Sequence, residues 1–397
     1  MEDVKMEQTQ VLDMLAINVE ADLGNSNLKI FVNNEYVTVP NVFKRVHGAI
    51  ESYEPDIDKN VMNLLDELYV HITSCAIERD GSFLVGERAM KKGRPKGMNI
   101  DYGKKHAEDL PIISVLSVVA AKVIQQIYKE KKTLPKVLSL NVDLITAIPA
   151  SQHTPDTAKM LSNRFQEKEH VVIVYIGGEK VTVQIEFSRA RVTKEGATSL
   201  FAMIDGEQDM YKEFQNLYQE KLKGIEVTGE YFTNKKILHV DIGDGTTEYI
   251  YTINQKPVLG NCTGERQGIG HALEKACKLL NKKRDTNYNR HQFAQIVLHD
   301  NKDQEDAQGF LYETRYEESE SIIESVEEKY NEETAGQAEI IAVYGGGSIG
   351  LRAEFYNKIL KFCDKRNILL FYVPEKYAIT MNPLGMNKLR KAMDSKK

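Results

Sequence analysis

Apolar and polar residues alternate through Leu15–Asp22, again through Leu28–Val32 and again through Tyr36–Val39, with Gly24-Asn25-Ser26 and Asn33-Asn34 in the gaps. A period of two broken by turn residues predicts a β-meander. Residues 40–110 are mixed and polar, with a short strand at Ser82–Val85 and a basic loop over Ala89–Gly97. Leu110–Tyr128 is apolar enough for a buried helix, and Leu138–Ile148 reads as a buried strand stopped by Pro149. The pattern then starts again. A helix is expected over Asp156–Glu167, a hairpin over Val171–Ile176 and Val181–Phe187, and helical structure near Met210–Lys223. Lys236–Thr252 reads as strand, turn, strand, and Asn254-Gln255 turns it into Lys256–Leu259. A helix opens on Gly268-Ile-Gly270. The acidic stretch Tyr312–Tyr330 is expected to be a helix with a solvated face. Glu339–Tyr344 is a buried strand running into Gly345-Gly346-Gly347-Ser348 and a helix; Ile368–Val373 and Asn387–Met393 add a last strand and a last helix.

One element occurs twice. Asp22-Leu-Gly-Asn-Ser-Asn-Leu-Lys29 and Asp241-Ile-Gly-Asp-Gly-Thr-Thr-Glu248 share the form strand, Asp, x, Gly, polar turn, strand, and each opens one half of the chain. Two copies of one α/β unit facing each other would enclose a cleft with a hairpin from either side. A tight glycine turn presents consecutive N–H groups that can cradle phosphate oxygens. The strand-end acids Asp22 and Asp241 would repel phosphate unless a cation lies between, an arrangement suited to hydrated Mg²⁺. Lys29 would add a point charge, and Thr246 and Thr247 would add hydroxyl donors. Read singly, each hairpin is only a common Asp-Gly-type turn; the duplication favours the phosphate clamp. The glycine triplet at the end of a buried strand offers bare backbone to a nucleotide, although alone it could be a tight β–α turn. It is neither a Walker loop nor a G-x-G-x-x-G fingerprint.

Composition narrows the class. The chain has 397 residues, enough for two domains. No apolar run is read as approaching the ~20 residues of a bilayer span. The polar stretch Met1–Met14 lacks the layout of a signal peptide, so the expectation is a soluble, intracellular protein without a membrane partner. Net charge is −6, from 52 Lys and Arg against 58 Asp and Glu, which gives no general attraction to nucleic acid. Cys75, Cys262, Cys277 and Cys363 lack metal or disulfide spacing and are expected as buried free thiols. His106 and His271 have no acidic partner at metal spacing and read as structural.

Taken in order, Asp22…Lys29, Asp241-Ile-Gly-Asp-Gly-Thr-Thr and Val343-Tyr-Gly-Gly-Gly-Ser348 resemble the phosphate-1, phosphate-2 and adenosine motifs of the actin superfamily. Ile145–Pro149 and Ala378–Gly385 fall where its connecting segments lie. Leu84-Val-Gly-Glu-Arg-Ala89, Tyr102-Gly-Lys-Lys-His106, Ile-Pro-Ala-Ser-Gln152 and Thr193-Lys-Glu-Gly196 resemble the bacterial plasmid-segregation actins of the ParM group. The resemblance implies an α/β, actin-like duplicated ATPase fold with two domains flanking a nucleotide cleft. The expected first domain is 15–150, with an insert at about 35–110 and a C-terminal helix at about 376–397. The second is 151–375, with an insert at about 280–335. By the resemblance, Gly24, Asn25, Ser26, Asn27 and Lys29 form the first phosphate loop, and Gly243, Asp244, Gly245, Thr246 and Thr247 the second. Gly345, Gly346, Gly347 and Ser348 border the adenosine, and Gly268 lies toward the ribose or base. Asp22 and Asp241 organise Mg²⁺ through water. Where the ParM group positions the attacking water with a Glu, this chain has Gln152, a hydrogen-bonding residue but a weak base, so slow hydrolysis is expected.

The function implied is an ATPase, with GTP left open, that polymerises head to tail into nucleotide-dependent filaments and segregates plasmid DNA in the cytoplasm. The partners implied are further copies of the chain and a ParR-like centromere-binding adaptor, with no direct DNA binding. A sugar-type kinase of the same superfamily is the alternative, but no additional catalytic acid beside a substrate loop is found. A chaperone ATPase would need a β-rich domain after the ATPase unit. A cell-shape role is a further alternative, although Met1–Met14 is too polar for an amphipathic membrane helix.

Overall fold

The computed structural model describes residues 14–48, 54–166 and 169–394. The readings of the stretch ahead of Met14 lie outside the described residues. Among the described residues two sheets organise the chain, one of ten strands and one of five.

The first sheet is built on the predicted meander Leu15–Leu23, Asn27–Val32 and Glu35–Pro40. Leu15–Leu23 pairs in parallel with Val137–Ile148, which pairs in parallel with Glu179–Lys194. The second sheet repeats this order. Lys256–Glu265, Thr247–Ile253 and Lys236–Ile242 form the meander, and Ile340–Tyr344 and Leu369–Tyr372 follow in parallel. The duplication therefore extends to register: Asp22 stands opposite Lys29, and Asp241 opposite Glu248. At Gly24 an added Cβ would lie 2.5 Å from the Asn27 carbonyl oxygen, and at Gly243 one would lie 2.8 Å from that of Thr246. Both turns close too tightly for a side chain.

The expected boundary at residue 150 needs correcting. His170–Ile176 and Glu179–Lys194 belong to the first sheet, so the first half runs on to about Lys194. Parallel pairing across a helical crossover leaves no local mark in a sequence. The mixed region beyond residue 40 also holds more structure than one short strand. Val42–Val46 and Tyr69–Thr73 join Gly81–Val85, and Tyr69–Thr73 pairs with His170–Ile176, extending the first sheet.

The helix Leu110–Lys131 is longer and more apolar than expected. Its 22 residues include an 18-residue window of mean hydropathy 1.8, so by length and composition it could cross a membrane. Here 78% of that window is buried inside the fold, as in the core helix of a globular protein. The acidic helix forms as expected, longer than the predicted stretch and with a buried face besides its solvated one. Gln304–Glu332 turns Ile322, Val326 and Tyr330 into the second core, and Glu318 is buried as well. The final helix, Met381–Asp394, returns to the first sheet, where Arg390 is paired with buried Glu20 and donates to the Val19 and Asp143 carbonyls. Among the cysteines, Cys277 and Cys363 are buried, but Cys262 is half-buried and Cys75 exposed; all four are free thiols.

Candidate functional site

The two hairpin turns and the glycine triplet line one cavity of about 310 Å³. From the first hairpin come Asp22, Gly24, Asn25, Ser26, Asn27 and Lys29; from the second, Asp241, Gly243, Asp244, Gly245 and Thr246. Gly345, Gly346 and Gly347 close one side, with Ile269 and Leu273 of the helix Ile269–Arg284 beside them. Gly345 takes φ +92°, and a Cβ there would meet the Ile242 carbonyl oxygen at 2.3 Å.

Four expected residues stand behind this surface. Thr247 is fully buried and donates to the Gln267 carbonyl at 3.1 Å. Ser348 donates to the Gly345 carbonyl at 2.7 Å and so holds the triplet's turn. Gly268 gives its N–H to Glu318 at 2.8 Å. Gln152 does not line the cavity: its side-chain oxygen accepts the Lys105 N–H at 3.1 Å, and its NH₂ donates to the Gly103 carbonyl at 3.2 Å. It fastens the 103–105 loop.

The acids sit in unlike environments. Asp22 forms an ion pair with Lys29 at 3.1 Å. Burial works against the Lys29 charge, but the Asp22 and Asp241 carboxylates outweigh it and hold its pKa above the ordinary value. Among the described residues, the hydrogen-bond partner of the Asp241 carboxylate is the Asn382 amide, at 2.7 Å. Burial and then the Asp22 charge push the Asp241 carboxyl up to about 6.

Sequence reasoning missed Lys105, Glu195, Glu248 and Asn382, all of which line the cavity. Lys105 and Glu195 form a buried ion pair. Burial raises Glu195 to about 7, with Lys105 opposing. Glu248 accepts the Ala150 N–H at 2.7 Å, and burial followed by the Glu195 charge places its pKa well above the carboxylate range. Asn382 accepts the Gly196 N–H at 3.1 Å while donating to Asp241. Signals for two of these were present in the Lys-Lys-His and Lys-Glu-Gly strings. His271 also approaches the second turn, its ring nitrogen donating to the Gly245 carbonyl at 3.0 Å.

A polyphosphate suits such a cavity: turn N–H groups and Lys29 attract it, and the acids require a counter-cation. Among the described residues no group of three or more His, Cys, Asp or Glu could hold a metal alone. The donor set fits Mg²⁺ held mainly by water and phosphate oxygens, with Asp22 and Asp241 ordering that water. When bound, the ion would neutralise phosphate charge.

Comparison with known proteins agrees with this geometry. Residues 21–197 match the family described as actin like proteins N terminal domain. The crystal structure of actin-like protein Alp7A superposes with a TM-score of 0.67 at 16% identity, covering 96% of this chain and 98% of that one. This chain has the actin-like fold. A non-polymerisable quadruple mutant of pCBH ParM gives a TM-score of 0.63 at 17% identity, covering 95% of this chain and 99% of that one. Bacillus thuringiensis ParM with ATP gives 0.58 at 15% identity, covering 95% and 99%. No curated protein sequence matches the chain.

Proposed function

We propose that the chain is an actin-like ATPase that assembles head to tail into nucleotide-dependent filaments and moves plasmid DNA through a centromere-binding adaptor. The observation that carries this reading is the duplicated Asp-x-Gly hairpin, whose two copies meet across one polar cavity closed by a glycine triplet. ATP with Mg²⁺ is the proposed ligand. Gly24–Asn27 and Gly243–Thr246 hold the phosphates, Lys29 neutralises one of their oxygens, and Gly345–Gly347 border the adenosine. Asp22 and Asp241 order the metal's water. The first domain of this machine is residues 14–194 with the C-terminal helix, and the second is about 195–375.

A ligand touching both hairpins draws the halves together, and losing the γ-phosphate removes the bridge. Because head-to-tail contacts repeat without closing, a clamp that alters subunit shape alters filament stability. The net charge of −6 supports an adaptor-borne link to DNA, and the proposed setting is the cytoplasm. Similarity to Alp7A and ParM structures supports the plasmid role over a kinase.

Right-angle light scattering of the purified chain, followed by negative-stain microscopy, tests the proposal. Scattering should rise on adding ATP and Mg²⁺, fibres should be visible, and the signal should decay as phosphate appears. A flat trace in every nucleotide and salt, with sugar-dependent ATP consumption, would replace the filament reading with the kinase one.

A further inference from the structure

The helix start Gly268-Ile-Gly270 holds the second turn from behind. The Gly270 N–H donates to the Asp244 carbonyl at 2.7 Å, and the Ile269 N–H reaches the Gly243 carbonyl at 3.3 Å. A Cβ on Gly270 would lie 2.6 Å from the Asp244 carbonyl oxygen and 2.7 Å from its Oδ1, and closer still to Nη1 of Arg290. The space left by the missing side chain is where Asp244 and Arg290 meet.

Arg290 comes from the stretch expected as the insert of the second half, at the start of the helix Arg290–Leu298. Its Nη1 stands 2.8 Å from Asp244 Oδ2, an ion pair between side chains only 10% and 11% exposed whose angles fall short of a hydrogen bond. The helix that carries it is firmly seated. Asn289 and Gln292 cap it reciprocally, and Phe293 and Ile296 are buried with Ala272, Ala276 and Leu280 of the helix before it. Asp244 lines the phosphate cavity, whereas Arg290 stands outside that lining. A carboxylate in a turn shaped for phosphate repels its ligand unless its charge is cancelled, and the repulsion is strong where water is scarce.

We propose that Arg290 is a positioning residue for the polyphosphate: from behind the second turn it cancels the Asp244 charge and fixes the turn, so that the insert sets how tightly phosphates are held. This rests on the ATPase reading of the cleft. The guanidinium itself touches no phosphate; it acts through Asp244, and Gly270 gives the two groups room.

Arg290→Met provides the test, by calorimetric titration with Mg²⁺ present. Removing one partner of a buried ion pair leaves the other charge uncompensated. The Kd for ATP should therefore rise about tenfold, that for ADP by less, and that for uncharged adenosine by less than about twofold. Arg290→Lys should recover most of the ATP loss. So should Asp244→Asn placed on Arg290→Met, because a neutral amide needs no counter-charge; the double-mutant cycle isolates that coupling. Gly270→Ala keeps both charges but fills the space between them, and should repeat the charge-graded loss in smaller degree, whether or not Arg290→Met folds. An ATP Kd within threefold of the parent in folded Arg290→Met would overturn the proposal. Equal weakening of ATP and adenosine would do the same, being the mark of a purely structural residue, as would additive losses in the double variant. If the parent chain itself binds no ATP, the ATPase reading fails instead.

Discussion

The two Asp-x-Gly hairpins share a turn, a register and a cavity, yet they bring different side chains to it. In the first, the residue facing the acid across the ladder is Lys29, and Asp22 is ion-paired at 3.1 Å. In the second it is Glu248, and Asp241 accepts a hydrogen bond from the Asn382 amide. Backbone chemistry is therefore duplicated, but side-chain chemistry is divided. One hairpin carries an ion-paired lysine; the other carries two buried carboxyls, both raised by burial and by neighbouring acids.

Substitutions can break this asymmetry. The largest effect is expected from Asp241→Ala, which removes one of the two acids proposed to order the metal's water. Phosphate release should fall about 1000-fold or more while ATP still drives assembly, so filaments persist in a scattering trace. Normal phosphate release would remove Asp241 from the chemistry. Lys29→Met is next. It should raise the Kd for ATP about 30-fold, measured by titration, with a smaller change for adenosine.

Identical changes in the two hairpins should shift stability with opposite signs. In metal-free, nucleotide-free protein at pH 8, Asp22→Asn leaves Lys29 without its ion-pair partner and should lower Tm, at a cost of about 3 kcal/mol. Asp241→Asn should raise Tm by about 3 °C. The sign follows from the raised pKa. Between the ordinary aspartate value and about 6 the folded state keeps a proton that the unfolded state has lost, so stability falls as pH rises through that window. Asn removes the loss, and its advantage should shrink as pH falls toward 4. Thermal melts of both variants across pH 4–8 check this; shifts of the same sign at pH 8 would contradict the asymmetry. The smallest effect is expected for Gln152→Ala, which should cost about 1 kcal/mol of stability and change the phosphate-release rate less than threefold.

What the sequence made legible follows the same division. The turns were readable because Asp, Gly and Asn declare a tight hairpin within eight residues, and the triplet because three glycines end an apolar strand. Asn382 was not readable: it reaches Asp241 only because the chain returns after 141 residues. Lys105 and Glu195 are likewise joined over 90 residues of separation. Glu248 lay inside the repeat itself, but the N–H that holds it comes from Ala150, 98 residues away. Gln152 shows the reverse. Its position after the connecting strand was readable, but the direction of its amide was set by the distant 103–105 loop. The domain boundary was misread for a related reason, since the parallel pairing of Glu179–Lys194 with Val137–Ile148 is a tertiary event.

The central claim is that the two hairpins clamp a polyphosphate between them. Titrating the full chain with ATP, ADP and AMP in Mg²⁺ by calorimetry tests it most directly. One site per chain is expected, with affinity that falls stepwise from ATP to ADP to AMP and the ATP step lost when Mg²⁺ is chelated. Equal affinity for all three, indifferent to Mg²⁺, would mean that the cavity holds the nucleoside and leaves the hairpins without their ligand.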